Sequence, residues 1–250
     1  MNPLKRTAEF CCDRLVGLAP QSVLNSLRRN HYELVAREFN RAFMFNWSDA
    51  KIVERPQRFE DLVSLFGLSP MSRGIIRQDF DEAAALFRWV RNLPDPVGVE
   101  IGRFNGGSTL LLAVAVGQGG KLISIDISPQ DDTLLDCILQ KARVRDRVEL
   151  IVGDANEVNR TAPIDFVFID GDHSYDGARR DHNKWGRLVR LGGFVIHHDM
   201  GNGRRFSTQW TELARLRSDI LKVQASQLEL IQEAGSMSVY RKKSTDWTEI

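Results

Sequence analysis

The 250-residue sequence has only three cysteines, and two of them, Cys11 and Cys12, are adjacent. That arrangement excludes a disulfide framework and a zinc-type CxxC pair, and it points to a reducing, cytoplasmic setting. No apolar run approaches the ~18 residues that cross a bilayer; the longest, 110–116, is far too short. The opening MNPLKRTAEFCC lacks the apolar centre of a secretory leader. Charge of one sign is also missing. The 34 basic and 33 acidic side chains leave a net +1, which argues against nucleic acid or an anionic membrane as partner. Arg28, Arg29, Arg37, Arg41, Arg55, Arg58, Arg73 and Arg77 gather in the N-terminal third, where they read as solvated helix faces. The dinucleotide fingerprint GxGxxG is absent as well, which argues against a pyrophosphate seated on a helix N-terminus and so against a nicotinamide oxidoreductase.

The pattern of what is present changes near residue 95. Before it, residues 21–45 carry Val23, Leu24, Leu27, Leu34, Val35, Phe39 and Phe43 close to helical period. A second short helix is expected at 58–66, a break at 67–74, and a third helix from Asp79 to about Asn92. Asp79 and Glu82 form a capping-box variant there, and the expected buried face is Phe80, Ala83, Ala84, Phe87, Val90 and Arg91. Beyond 95, short apolar runs alternate with helical stretches. Strands are expected at 97–101, 121–127, 148–152, 164–169 and 194–197. Helices are expected at 108–116, at 129–142 with Ser128 as cap and Pro129 in first position, at 176–191 with Asp176 as cap, and at 207–217. The runs 228–232 and 237–240, joined by Glu233-Ala-Gly-Ser236, read as a closing hairpin whose last strand is antiparallel. The expected fold is α/β: a doubly wound, mostly parallel seven-stranded sheet with an antiparallel last strand, preceded by a helical extension. Its ligands belong at the C-terminal ends of the strands. The expected segments are 1–93 for the extension, 94–243 for the sheet domain and 244–250 for a tail.

The first strand-to-helix turn reads EIGRFNGGST, residues 100–109. Gly102, Gly106 and Gly107 let its backbone approach a ligand closely. Glu100 and the amides near Gly102 suit a zwitterionic amino-acid end, with Ser108 opening the helix behind them. Asp126 ends the second strand, where a carboxylate accepts from ribose hydroxyls. Asp154 ends the third in VGDA, within reach of an adenine amino group. Singly each Asp reads equally well as a helix cap; three acidic residues at successive strand ends beside a glycine-rich loop are far less ordinary.

EIGRFNGGST, LISIDIS and VELIVGDA resemble the first three motifs of class I S-adenosylmethionine-dependent methyltransferases. IDFVFIDGDHSYDGARRD and LGGFVIHHD resemble the small-molecule O-methyltransferase group that includes macrocin O-methyltransferase and, more distantly, catechol O-methyltransferase. The likeness covers about 94–241, and a closing hairpin distinguishes such sheets from dinucleotide-binding ones. It implies S-adenosylmethionine as cofactor, with Glu100, Gly102, Gly106, Ser108, Asp126 and Asp154 around it and Asp170 at its border.

Methyl transfer from a sulfonium asks the protein mainly to position and deprotonate the acceptor. The fourth strand delivers Asp170, Asp172 and His173 to the same edge as His197, His198 and Asp199 of the fifth. Asp170 and Asp199 are the natural pair for a hard cation such as magnesium. The resemblance implies a divalent metal on those two carboxylates and a base at Asp172 or His173. It usually adds an Asn or Asp ligand directly after the second carboxylate; here that residue is Met200, leaving His198 or a water to complete the set. Strand alternation sends one of His197 and His198 into the packing layer and the other to the site. His182 reads as packing. The expected activity is O-methylation of a hydroxyl on a small molecule, a sugar or natural product. The competing readings are a metal-independent methyltransferase acting on nitrogen or a macromolecule, and a non-catalytic cofactor-binding scaffold. Phe39, Phe43, Phe45 and Trp47 mark the extension as a lid or a homo-oligomer contact.

Overall fold

The computed structural model describes residues 51–66, 75–129, 131–200 and 208–250, with side chains in the last stretch from 212 onward. These residues lie in one compact unit, 45–250. The expected helix at 21–45, the break at 67–74, the cysteine pair and the aromatic cluster at 39–47 fall outside the described residues.

Seven strands form one sheet: β1 (Val97–Ile101), β2 (Lys121–Asp126), β3 (Val148–Val152), β4 (Ile164–Ile169), β5 (Val189–His197), β6 (Leu228–Ala234) and β7 (Met237–Lys242). The spatial order is β3-β2-β1-β4-β5-β7-β6. The first five are mutually parallel, and β7 inserts antiparallel between β5 and β6. The order reverses direction at β1, so the turns after β1 and β4 open on one crevice, where a doubly wound sheet takes its ligand. The β6–β7 hairpin turns through two residues, Gly235 and Ser236, between paired Ala234 and Met237. Gly235 supplies the left-handed backbone (φ 56) that the turn needs.

Helices cover both faces, as parallel strands require. One apolar layer joins α1 (Phe80–Arg91), α2 (Gly107–Ala115) and α3 (Asp132–Lys141) to Leu122, Phe166, Phe168, Phe194, Ile196 and Val239. The other joins α4 (Tyr175–Leu188) and α5 (Thr208–Val223) to Val99, Ile101, Ile125, Val167, Val195 and Tyr240. Among the described residues, no helix is long and apolar enough to cross a membrane.

Several local expectations need correcting. The helix after β2 starts at Asp132, not Pro129: Asp131 caps it by accepting the Leu134 amide at 2.9 Å, while the Ser128 amide goes to Asp126. Ser174, not Asp176, caps α4, its Oγ accepting from the Gly177 amide at 3.1 Å. Strand β5 begins at Val189, five residues early, because Val189 pairs with Ile164 before an irregularity in register that spans the Gly192-Gly193 pair. Helix α5 runs on to Val223. In α1 the buried face is Glu82, Ala83, Ala85, Leu86, Phe87 and Val90. Phe80 is instead 54% exposed, meeting Phe59 and Phe66 edge-to-face, and Arg91 is solvated. The segment 58–66 is a 3-10 helix, Phe59–Leu65.

Candidate functional site

The glycine-rich turn is held by two buried polar networks. Glu100 is fully buried on β1, and its Oε2 accepts from Thr109 and Ser124, each at 2.6 Å. Burial pushes the Glu100 carboxyl up, against the hydroxyls of Ser108, Ser124 and Thr109 that favour its charge. Its Oε1 has no hydrogen-bond partner among the described residues. Beside it Arg103, also buried, donates to the carbonyls of Ser124 and Ile151 and forms a two-point pair with Asp132. Arg103 therefore ties the turn to β2, β3 and α3, a role the sequence reading missed.

Gly102 sits at φ 85, and a Cβ there would collide with the Asp170 carbonyl oxygen. Only glycine lets the β1 turn close on the end of β4. Gly106 occupies the N-cap of α2 in a left-handed conformation. Ser108, buried in the first turn, faces the Glu100 carboxylate.

Asp126, at the end of β2, accepts through Oδ2 from the Arg103 and Phe104 amides at 2.8 and 2.9 Å, and through Oδ1 from the Ser128 amide. A carboxylate has about four lone-pair directions, so accepting capacity remains. Asp154, after β3, accepts from the Asn156 amide at 2.8 Å, the main cause holding its carboxyl below the usual range. Asn156 also donates to Asp181 at 2.8 Å. Asp181 is buried on α4, and desolvation, reinforced by Asp154 and Asp172, pushes its carboxyl up to about 6.

At the ends of β4 and β5 the structure brings Asp170, His173 and Asp199 together, one ligand atom from each lying within 4.8 Å of the others. His173 Nε2 is 3.5 Å from Asp170 Oδ1 and 3.6 Å from Asp199 Oδ2, buried and without a hydrogen bond. His198 lies against the same carboxylates, with Nδ1 at 3.2 and 3.4 Å. Its Nε2 faces Glu82 Oε2 at 3.0 Å. Burial would lower the His198 pKa, but Asp170, Asp199 and Glu82 hold it well above its ordinary value. Conversely burial would raise the Asp170 carboxyl, and the charges of the adjacent His198 and His173 hold it well below the carboxylate range. Asp199 takes a left-handed backbone (φ 57), a strained conformation that Asp tolerates better than most residues.

Asp172 stands apart from this cluster. It is exposed, accepts from the Ser174 amide at 2.8 Å and packs against Gly177 at the start of α4. Met200 is fully buried in the apolar layer with α4 and α5. His197 also turns into that layer and meets His182 at 2.9 Å; His182 in turn meets Gln224 at 2.7 Å.

Two side chains near the cluster escaped the sequence reading. Gln78 is buried and donates to Asp170 Oδ2 at 3.2 Å. Glu82, recognised only as a capping residue, does cap α1 by accepting from the Asp79 amide at 2.8 Å. It also accepts from the Ser236 amide and hydroxyl at 2.6 and 2.7 Å. The signal available was a carboxylate on the otherwise apolar face of α1.

Comparison with known proteins bears on this geometry. Residues 99–200 match the family described as a methyltransferase domain. Catechol O-methyltransferase of Mycobacterium tuberculosis is 35% identical over 102 residues, covering 39% of this chain and 45% of that one. The chain spans about half the length of the curated relatives it matches. An O-methyltransferase from Bacillus cereus, solved in complex with SAH, superposes with a TM-score of 0.54 at 20% identity, covering 66% of this chain and 82% of that one. The O-methyltransferase TomG of Streptomyces achromogenes, involved in tomaymycin synthesis and solved in complex with SAM, gives 0.54 at 20% identity, over 83% and 95% of the two chains. Residues 99–200 therefore match a methyltransferase-domain family, and the sheet that holds them has the class I methyltransferase fold.

Proposed function

We propose that the chain transfers a methyl group from S-adenosylmethionine to a hydroxyl oxygen of a small molecule, with a divalent cation such as magnesium assisting. The observation that carries this reading is the cluster of Asp170, His173 and Asp199 beside the Gly102 turn. Two carboxylates and an imidazole suit a hard or borderline divalent ion, and the unpartnered, buried His173 Nε2 between them fits that donor set. A cation held there would lower the pKa of an acceptor hydroxyl, and S-adenosylmethionine would supply an electrophilic methyl carbon.

The chain's own residues have the tasks of binding and orientation. Asp126 and Asp154 are assigned to the ribose and adenine, Glu100 and the Gly102 amides to the amino-acid end. Glu82 fixes the His198 ring, which keeps positive charge beneath the two carboxylates. His173, partly exposed beside Asp170 and Asp199, is the candidate to take the acceptor's proton when it is not holding the metal. Asp172, engaged at the start of α4, is the weaker candidate for that task.

A second reading has its own support. Met200 is apolar where a third ligand is usual, and the raised His198 already sets a positive charge against Asp170 and Asp199. That arrangement favours metal-independent transfer, and one experiment separates the two. The full chain is incubated with methyl-labelled S-adenosylmethionine and a panel of phenols, catechols and sugars, before and after exhaustive chelation. The proposal expects label on a hydroxyl oxygen, loss of turnover on chelation and recovery with magnesium. Full turnover after chelation removes the metal; label appearing only on amines, protein or RNA overturns the acceptor class.

A further inference from the structure

Helix α4 carries Arg179, Arg180, Lys184 and Arg187 in the run RRDHNKWGR, at spacings that set them along one side of the helix. Like charges one turn apart repel, so such a row usually spreads into water. Here the loop after β3 adds Asn156 and Arg160 to the lining, and the C-terminal tail adds Glu249. Together they line an open groove of about 410 Å3, a size that suits a small molecule.

The charges of this groove are unevenly satisfied. Glu249, the sole acidic residue lining it, pairs with Arg187. Arg179 donates to the Ile250 main-chain oxygen at 2.9 Å and faces Asp176 at 3.6 Å. Lys184 spends two of its three protons on the Asn156 and Val158 carbonyls, at 2.6 and 2.9 Å. Those two bonds fix the β3 loop to the helix, so the groove is built rather than incidental. Arg180 makes no hydrogen bond among the described residues and feels Asp154 and Asp181 only at electrostatic range. Arg160 presents a buried Nε with no partner.

We propose that this groove binds the phosphate or diphosphate group of a small molecule, with Arg160 and Arg180 as the principal donors. With Glu249 matched by Arg187 and Arg179 engaged by Ile250 and Asp176, Arg160, Arg180 and Lys184 leave positive charge that no lining carboxylate balances, whereas a phosphate or diphosphate carries two or three negative charges. Guanidinium forks match phosphate oxygens with paired hydrogen bonds. Asn156, which also holds Asp154, places the groove next to the expected adenine end of the cofactor site. The inference does not rest on the methyl-transfer reading, because anion binding is measurable without turnover.

The test is calorimetric titration of the full chain with sodium phosphate and sodium pyrophosphate, at ionic strength matched by sodium chloride. The expected result is saturable binding with a Kd of about 1 mM or tighter, weakened about tenfold or more by the double change Arg160→Gln and Arg180→Gln. Affinity for S-adenosylhomocysteine and the thermal midpoint stay at the parent values. Arg180→Gln alone, at an exposed side chain without hydrogen bonds, also weakens binding and guards against misfolding of the double variant. The relative affinities of the two probes show whether a monoester or a diphosphate fits better. No saturable heat, or equal affinity in parent and variants, overturns the proposal.

Discussion

Asp126 shows how one side chain serves the turn and the ligand together. Because its carboxylate already accepts three loop amides, Asp126→Ala removes both the loop's anchor and the proposed ribose acceptor. S-adenosylhomocysteine affinity should fall about 100-fold or more, with Asp126→Asn intermediate, as read by calorimetry. Unchanged affinity in the Ala variant would remove the ribose role. Asp170→Asn should act differently, lowering turnover while leaving that affinity nearly intact; a large affinity loss would move Asp170 into the cofactor pocket. Asp181 makes a pH prediction. Its folded value of about 6 lies above its ordinary 3.8, so its contribution to stability is present below pH 3.8 and lost as pH rises through 6. Asp181→Asn should therefore gain on the order of 2–3 kcal/mol relative to parent between pH 4 and pH 7.5 in urea unfolding. A pH-independent difference would contradict that sign. At this scale the sequence was informative about residue types at strand ends, because a strand edge in this topology dictates which side chains meet. It was silent on Arg103 and Gln78, whose partners are set by three-dimensional closure of the turn.

Between elements, the least expected connection is from α1 to the end of β5 and the β6–β7 turn. His198 and Ser236 lie 116 and 154 positions from Glu82 along the chain, yet Glu82 bonds both. No local pattern encodes such a link. Burial would raise the Glu82 carboxyl, but His198 first and Ser236 next hold it at about 2, below its ordinary 4.5. The stability it contributes is present above pH 4.5 and lost as pH falls through about 2. Glu82→Ala, which strands the Ser236 amide and the charged imidazole, should cost about 3 kcal/mol at neutral pH. Glu82→Gln should flatten the acid limb of the urea-unfolding curve between pH 4.5 and 2, and retention of the full acid dependence would argue against this link. The buried parallel strands were legible because they are short apolar runs that end at Gly or Asp. The caps at Asp131 and Ser174 were not, since Ser128 and Asp176 fit the same local rule and only the observed hydrogen bonds choose. The early start of β5 was hidden in Val-Arg-Leu-Gly-Gly, which reads as the end of the preceding helix followed by a glycine break until Val189 finds Ile164.

For the molecule as a whole, a reversed strand order, a parallel core and an inserted antiparallel β7 place Gly102, Asp126, Asp154, Asp170 and Asp199 along one edge. The alternation of strands and helices after residue 95 encoded that arrangement, and the closing hairpin distinguished it from a dinucleotide fold. The central claim is that this edge holds S-adenosylmethionine. It is tested most directly by calorimetric titration of the full chain with S-adenosylhomocysteine, with and without magnesium, and with NAD as control. The account predicts one-site micromolar binding of S-adenosylhomocysteine and none of NAD. Absence of S-adenosylhomocysteine binding in both conditions, or binding of NAD in its place, would contradict it.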